Sequence, residues 1–203
     1  FSYCDGLIPV RSFIDKGQGI DGRPHNIWIE AGDNTTEKMA TFANWASREG
    51  AAVYVIPGTV AAAGQAKAAE VLQMQAVVVD IDNGDIAAKR AHLERHLGPP
   101  TMVVESGGIT AEGQRKAHVW WKLTEPAEGS DLARVTRLRG DIAAKVGGDM
   151  HFRSAHQPIR VAGSVHAKSG TQRLVEILHC RTRDHDLGDL VEAVMAMPPL
   201  EGE

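Results

Sequence analysis

The sequence predicts an α+β protein with mixed sheets, on three observations. Short β-branched runs alternate with helix-length amphipathic segments along all 203 residues. Residues 101 to 123 carry the pattern of one long hairpin, so at least some strands must run antiparallel. No repeat or low-complexity linker divides the chain, whose length suits one sizeable core.

Taken in order, residues 1 to 25 are punctuated by Gly and Pro and read as strand or loop. Asn26 to Ala31 reads as a strand. Asn34, with Glu37 three residues on, has the spacing of a capping box for a helix that places Met39, Phe42, Trp45 and Ala46 on one face and ends at Gly50. Ala51 to Ile56 is a second strand, stopped by Pro57-Gly58. The Ala-rich run Thr59 to Met74 is open between a helix broken at Gly64 and a mobile loop with one helical turn near Glu70.

Val77-Val78-Val79-Asp80-Ile81-Asp82 reads as a buried strand reaching a sheet edge, and Asn83-Gly84 turns the chain away. Asp85 caps a helix to about His96, closed by Gly98-Pro99-Pro100. The hairpin follows, with strands Met102 to Glu105 and Ala117 to Leu123. Ser130 is the expected cap of a helix carrying Leu132, Val135, Leu138, Ile142 and Val146, which Gly147-Gly148 terminates. Pro158 to Ala162 and Arg173 to Cys180 are two more strands, Asp186 caps a last helix, and the Pro198-Pro199 tail is expected to fray.

The bulk numbers narrow the function classes. A formal charge of −4 argues against a protein coated with phosphate-binding surface. From His151 to Arg183, however, Arg153, Arg160, Lys168, Arg173, Arg181 and Arg183 face the single acid Glu176, enough for a local anion site. No apolar run approaches the roughly 18 residues of a membrane span, and the start has no basic-then-apolar leader pattern. Cys4 and Cys180 are too few and too distant for a zinc quartet or a disulfide framework, so a reducing cytoplasm is the expected compartment. The first residue is Phe1, which suits a domain cut from a longer protein.

Five features carry chemistry. Asp80 and Asp82 share one strand face, and two carboxylates at the end of an apolar strand are costly unless a cation lies between them. Oxygen ligands favour Mg²⁺ or Mn²⁺; a helix cap plus a surface ion pair is the plainer alternative. Ser106-Gly107-Gly108 exposes backbone amides where a phosphate can approach, or is simply a hairpin corner. His118, Trp120 and Lys122 share a face of the return strand, which lets His118 reach a phosphate held near Ser106. Asp149 follows a helix C-terminus, where the macrodipole disfavours it, so a shared metal or a Gly-Gly-Asp turn must hold it. Arg160, Ser164, His166 and Lys168 fall at even spacing and present donors on one face if the segment is extended, a combination suited to a triphosphate.

This order of motifs resembles the archaeo-eukaryotic primase superfamily, most closely the primase-polymerase domains of phage and plasmid replication proteins. The resemblance runs from about Val53 to Cys180. It implies an RRM-like catalytic sheet combined with an N-terminal α/β module. It makes Asp80, Asp82 and Asp149 catalytic carboxylates holding two Mg²⁺ or Mn²⁺ ions, with Asp141 as the substitute for the third. It assigns Ser106, Gly107, His118, Arg160, Ser164, His166 and Lys168 to nucleotide binding. The expected function is template-directed nucleotidyl transfer, as a DNA primase or DNA polymerase, with an NTP or dNTP and a single-stranded DNA template as partners and a fused or separate helicase beside them. Residues 1–203 are then one catalytic domain with a disordered tail at 197–203.

Two rivals stand beside it. A haloacid-dehalogenase-type phosphatase also places Asp-x-Asp after an apolar strand, but Gly84 and Arg153 depart from its pattern and the row from Arg160 to Lys168 has no role in it. A noncatalytic nucleic-acid-binding initiator module needs no cluster of acids.

Overall fold

The computed structural model describes residues 1–14, 22, 24–168 and 171–202. In chain order these form β1 (Leu7–Phe13), β2 (His25–Glu30), α1 (Thr35–Arg48), β3 (Ala52–Val55), β4 (Thr59–Val60), β5 (Val71–Ile81), α2 (Ile86–Leu97), β6 (Met102–Ile109), β7 (Arg115–Ala127), α3 (Gly129–Val146), β8 (Ile159–Arg160), β9 (Val165–His166), β10 (Arg173–Leu174), β11 (Glu176–Cys180) and α4 (Leu187–Ala196). The fold is α+β. Nine strands make one sheet in the order β11-β6-β7-β5-β4-β1-β3-β8, with β2 paired to β1, and β9 and β10 form a small ribbon. Every paired ladder among them is antiparallel.

Side-chain alternation on β5 divides the interior. Val77, Val79 and Ile81 point to one face, where Val119, Trp121 and Leu123 of β7 join α2, α3 and α4 in the main core. Each such residue is almost fully buried, and burial of one Val or Ile side chain stabilises the fold by about 1.5–3 kcal/mol. Val78 points the other way, into a second core formed by β1, β3, Ala43 and Ala46 of α1, Phe152 and Ile159. Asp80 lies two residues on from Val78, so it emerges where the second core ends. That is the RRM-like sheet with an N-terminal α/β module that the motif order implied.

Several elements differ from the sequence reading. Asn34 makes no side-chain cap, so the capping box does not form; Thr35 instead accepts from the Gly32 amide and donates to the Glu30 carbonyl. Ser130 is not the cap of α3, which starts at Gly129 with Glu128 before it. Asp85 and Asp186 do cap α2 and α4, accepting from Ala88 and Asp189. Of the two readings of Thr59 to Met74 the loop with one helical turn near Glu70 holds for its middle, where a 3₁₀ turn covers Ala68–Glu70, while β4 opens the run and β5 begins at Val71. In the expected strand Arg173 to Cys180, Val175 divides β10 from β11 by exchanging backbone hydrogen bonds with the turn at Gly163-Ser164.

The tail is anchored where fraying was expected. Met197 is buried, the Leu200 amide donates to the Lys145 carbonyl, and Lys145 Nζ donates to the carbonyls of Val194 and Met197. Within the expected N-terminal strand or loop, β1 occupies the heart of the second core, while residues 15–21 and 23, like Glu203, lie outside the described residues.

Candidate active site

Asp80 sits opposite His118 across the β5–β7 ladder, and Val104 of β6 is the next partner of His118. The three strand positions bring a carboxylate and an imidazole together at the end of the second core. His118 Nε2 is 3.7 Å from Asp80 Oδ1. His118 is almost fully buried, and its Nδ1 has no hydrogen-bond partner among the described residues. Burial, reinforced by the Arg160 charge, pushes its pKa down to about 3, so the ring is neutral at ordinary pH. Asp80 is driven the opposite way, up to about 7, first by burial and then by the charges of Asp82 and Asp149, against the weaker pull of Lys116 and Arg160.

Asp149 reaches this place through the end of α3. Gly147 takes a left-handed conformation with φ 59°, the Gly148 amide donates to the Ala143 carbonyl at 2.8 Å, and the Asp149 amide donates to the Asp80 carbonyl at 3.1 Å. Its carboxylate caps the following 3₁₀ turn, Met150–Arg153, and lies 2.7 Å from His151 Nδ1. Asp82 extends toward Lys116, 3.9 Å away. Each of the three carboxylates therefore has its own cationic or imidazole neighbour, and among the described residues no three His, Cys, Asp or Glu side chains are drawn close enough to hold an ion as they stand. Asp141, the substitute third carboxylate, is on the solvent side of α3 beside Arg137 and is remote in role from the cluster.

A cleft of about 210 Å³ opens over Asp80 and Asp82, and Ser106, His118, Arg160, His166 and Lys168 all line it. The sequence placed these seven residues together, and the structure brings them together. Asp149 does not line it, and two of the expected nucleotide-binding residues fall elsewhere. Ser164 is fully buried and donates to the Val161 carbonyl at 2.6 Å, because Gly163, at φ 86°, turns a segment that the even spacing treated as extended. Gly107 also has a supporting role: at φ 78°, a Cβ on it would stand 2.5 Å from the His166 Cβ, so a bare backbone lets the β9 turn press onto β6. Ser106-Gly107-Gly108 is an irregularity within β6, where pairing with β7 skips from Glu105 to Ile109, and not the tip of the hairpin.

The six basic residues between His151 and Arg183 do not make one patch. Arg160 and Lys168 face the cleft, Arg153 lies on Gly140 of α3, and Arg181 and Arg183 are at the far end of β11 by Pro100 and Gly98.

No family model matches the chain, and no curated protein matches it. Solved structures do. The archaeo-eukaryotic primase domain of the cyanophage S-2L primase-polymerase superposes with a TM-score of 0.69 at 19% identity, over 93% of this chain and 89% of that one. The catalytic domain of primase RepB′ in complex with initiator DNA gives 0.62 at 16%, over 94% and 87%, and a longer RepB′ chain gives 0.61 over 94% of this chain and 58% of its own length. This chain has the primase-polymerase fold.

In a primase-polymerase fold the cleft described above fits a divalent cation on its chemistry. Burial and the neighbouring charges of Asp82 and Asp149 raise the Asp80 pKa to about 7, and a bound cation would favour its ionised form. All-oxygen donors suit Mg²⁺ or Mn²⁺. Sequence reasoning missed three cleft residues. Tyr54 lines the floor, stacked on Phe13 at 4.5 Å, with the Arg160 guanidinium 4.6 Å above its ring. Lys116 restrains Asp82, and Gln157 completes the rim. Lys116 was legible, being two residues before His118 and on the same strand face; Tyr54 was not, since only the β3–β8 pairing of Tyr54 with Arg160 gives it a role.

Proposed function

We propose that this chain catalyses template-directed nucleotidyl transfer, as a DNA primase or DNA polymerase in phage or plasmid replication. One observation carries the reading: Asp80, its pKa raised to about 7 by burial and then by the charges of Asp82 and Asp149, faces a wall of His118, Arg160, His166 and Lys168 across a single cleft. A metal-triphosphate needs both sides of that arrangement. A pure binding module gains nothing from acids beside a phosphate site, and a generic phosphatase leaves the basic wall without work. The RepB′ complex with initiator DNA supports a DNA partner.

Asp80, Asp82 and Asp149 would hold two Mg²⁺ or Mn²⁺ ions, which when bound lower the pKa of the attacking 3′-hydroxyl and neutralise the leaving pyrophosphate. The chain itself supplies position and charge. Arg160, 4.6 Å over the Tyr54 ring, offers a fork to the phosphates of an incoming NTP or dNTP, and Lys168 adds a point charge. His118 stays neutral and contributes a ring nitrogen to a phosphate oxygen without repelling Arg160. The buried ground around Asp80 and His118 keeps bulk water from competing.

The test is incorporation of labelled nucleotides on single-stranded DNA with Mn²⁺ or Mg²⁺, with and without a primer. Synthesis that Asp80→Ala abolishes supports the proposal. Metal-dependent hydrolysis of simple phosphate esters, without any need for template, would replace it.

A further inference from the structure

We infer that Lys89 is a positioning residue that fixes the separation between the two acidic loops, an inference that rests on the proposed nucleotidyl transfer. Lys89 lies on α2, which contributes no side chain to the cleft, and it is fully buried. Its Nζ donates to Asn83 Oδ1 at 2.7 Å and to the Gly147 carbonyl at 3.0 Å. Asn83 immediately follows Asp82 on the loop leaving β5. Gly147 is the left-handed residue that ends α3, two positions before Asp149. One ammonium therefore clamps the end of β5, which carries Asp80 and leads into Asp82, to the loop that carries Asp149.

Burial of a lysine is costly, and neither an apolar residue nor an arginine would serve in its place. An apolar residue would fill the same space, but it would leave the Gly147 carbonyl, one of the orphan acceptors at a helix C-terminus, without a donor. An arginine has a planar fork that does not converge on two oxygens from separate loops as a point donor does. The position calls for a compact donor to neutral oxygens.

The clamp acts where the acids meet. The Asp149 amide rests on the Asp80 carbonyl at 3.1 Å, and a Cβ at Gly148 would come within 3.1 Å of that same oxygen, so the loops are already at contact distance. Lys89 holds them together from behind, outside the cleft, and leaves the phosphate-facing wall untouched.

The test is Lys89→Met, of similar length and uncharged, examined beside Asn83→Ala. In wild type and both variants, Mn²⁺ affinity is read by electron paramagnetic resonance, thermal stability by melting, and amide hydrogen exchange at Gly148 and Asp149 without metal. The expectation is a 10- to 100-fold weaker Mn²⁺ affinity in Lys89→Met, roughly the usual effect of losing a residue that orients metal ligands. The metal concentration for half-maximal synthesis should rise with it, while the nucleotide KM at saturating Mn²⁺ stays near wild type. Exchange at the two amides should accelerate in a protein that still melts cooperatively, and Asn83→Ala should show a smaller change in the same direction. Wild-type Mn²⁺ affinity and unchanged exchange in Lys89→Met would overturn the inference. If wild type itself neither binds Mn²⁺ nor incorporates nucleotides, the nucleotidyl-transfer reading fails, and the exchange data still decide whether Lys89 couples the loops.

Discussion

His118 and Asp80 face each other with Nε2 3.7 Å from Oδ1, and burial raises the carboxyl to about 7 while it lowers the imidazole to about 3, so that below pH 7 the pair keeps its proton on the carboxyl side. An exposed pair of the same residues would carry it on the imidazole. Two neutral partners are the arrangement a buried site prefers until a cation arrives.

The pH dependence of the metal-free protein follows from that inversion. Asp80 has a folded pKa of about 7, above its ordinary value, so its contribution falls as pH rises between about 4 and 7. His118 has a folded pKa of about 3, below its ordinary value, so its contribution rises as pH climbs from about 3 to 6.5. The slopes oppose each other at roughly 1.4 kcal/mol per pH unit each at most, and wild type should be nearly flat from about pH 4 to 6.5. Single substitutions should unmask them: Asp80→Asn should gain stability with rising pH over that window, and His118→Gln should lose it up to about pH 7. Parallel melting curves in both variants would contradict the assignment.

Added Mn²⁺ should stabilise wild type more as pH rises through about 7, because the cation must displace the Asp80 proton. Melting temperature at fixed Mn²⁺, compared at pH 5.5 and 8, measures this. Asp80→Asn should show little shift at either pH, should melt higher than wild type without metal at pH 8, and should lose at least about 10³-fold in nucleotide incorporation. A substitution that stabilises the fold while removing activity marks a site built at the expense of stability.

How much of this was legible depended on whether a feature was local. The Asp80-x-Asp82 face, the Asp85 cap and the β6–β7 hairpin come from spacing within a few residues, and all three stand. The even spacing from Arg160 to Lys168 misled at Ser164 because one left-handed glycine, Gly163, inverts the pattern, and glycine's conformation is set by its surroundings. Val71 to Gln75 looked like a continuation of an Ala-rich segment, and only pairing with β4 and β7 makes it strand. Lys89 was unremarkable in a helical run, since its partners are 6 and 58 residues away.

Arg160 should not tolerate lysine. Its guanidinium lies 4.6 Å over the Tyr54 ring, and an ammonium at that position loses both the stacking and the fork. Arg160→Lys should raise the nucleotide KM roughly tenfold, about 1.4 kcal/mol, with Mn²⁺ affinity little changed. Tyr54→Leu should produce a smaller rise in the same direction, since it leaves the arginine in place and removes only its platform. Steady-state kinetics with a primed template would show whether the two effects fall on KM.

Gly107 gives the last prediction, because its role separates folding from chemistry. A methyl group there would meet the His166 Cβ at 2.5 Å, and its φ of 78° already disfavours any other residue. Gly107→Ala must therefore push the turn containing His166 away from β6, at about 1–3 kcal/mol of stability for the overpacking. Lys168 follows His166 by two residues and should move with it, so nucleotide affinity should fall although no phosphate contact has been removed. Asp80, Asp82 and Asp149 are tied to β5 and α3, so Mn²⁺ affinity should be preserved. Isothermal titration with nucleotide and with Mn²⁺ separates the two effects: equal losses of both would mean that the acidic and basic walls move as one body.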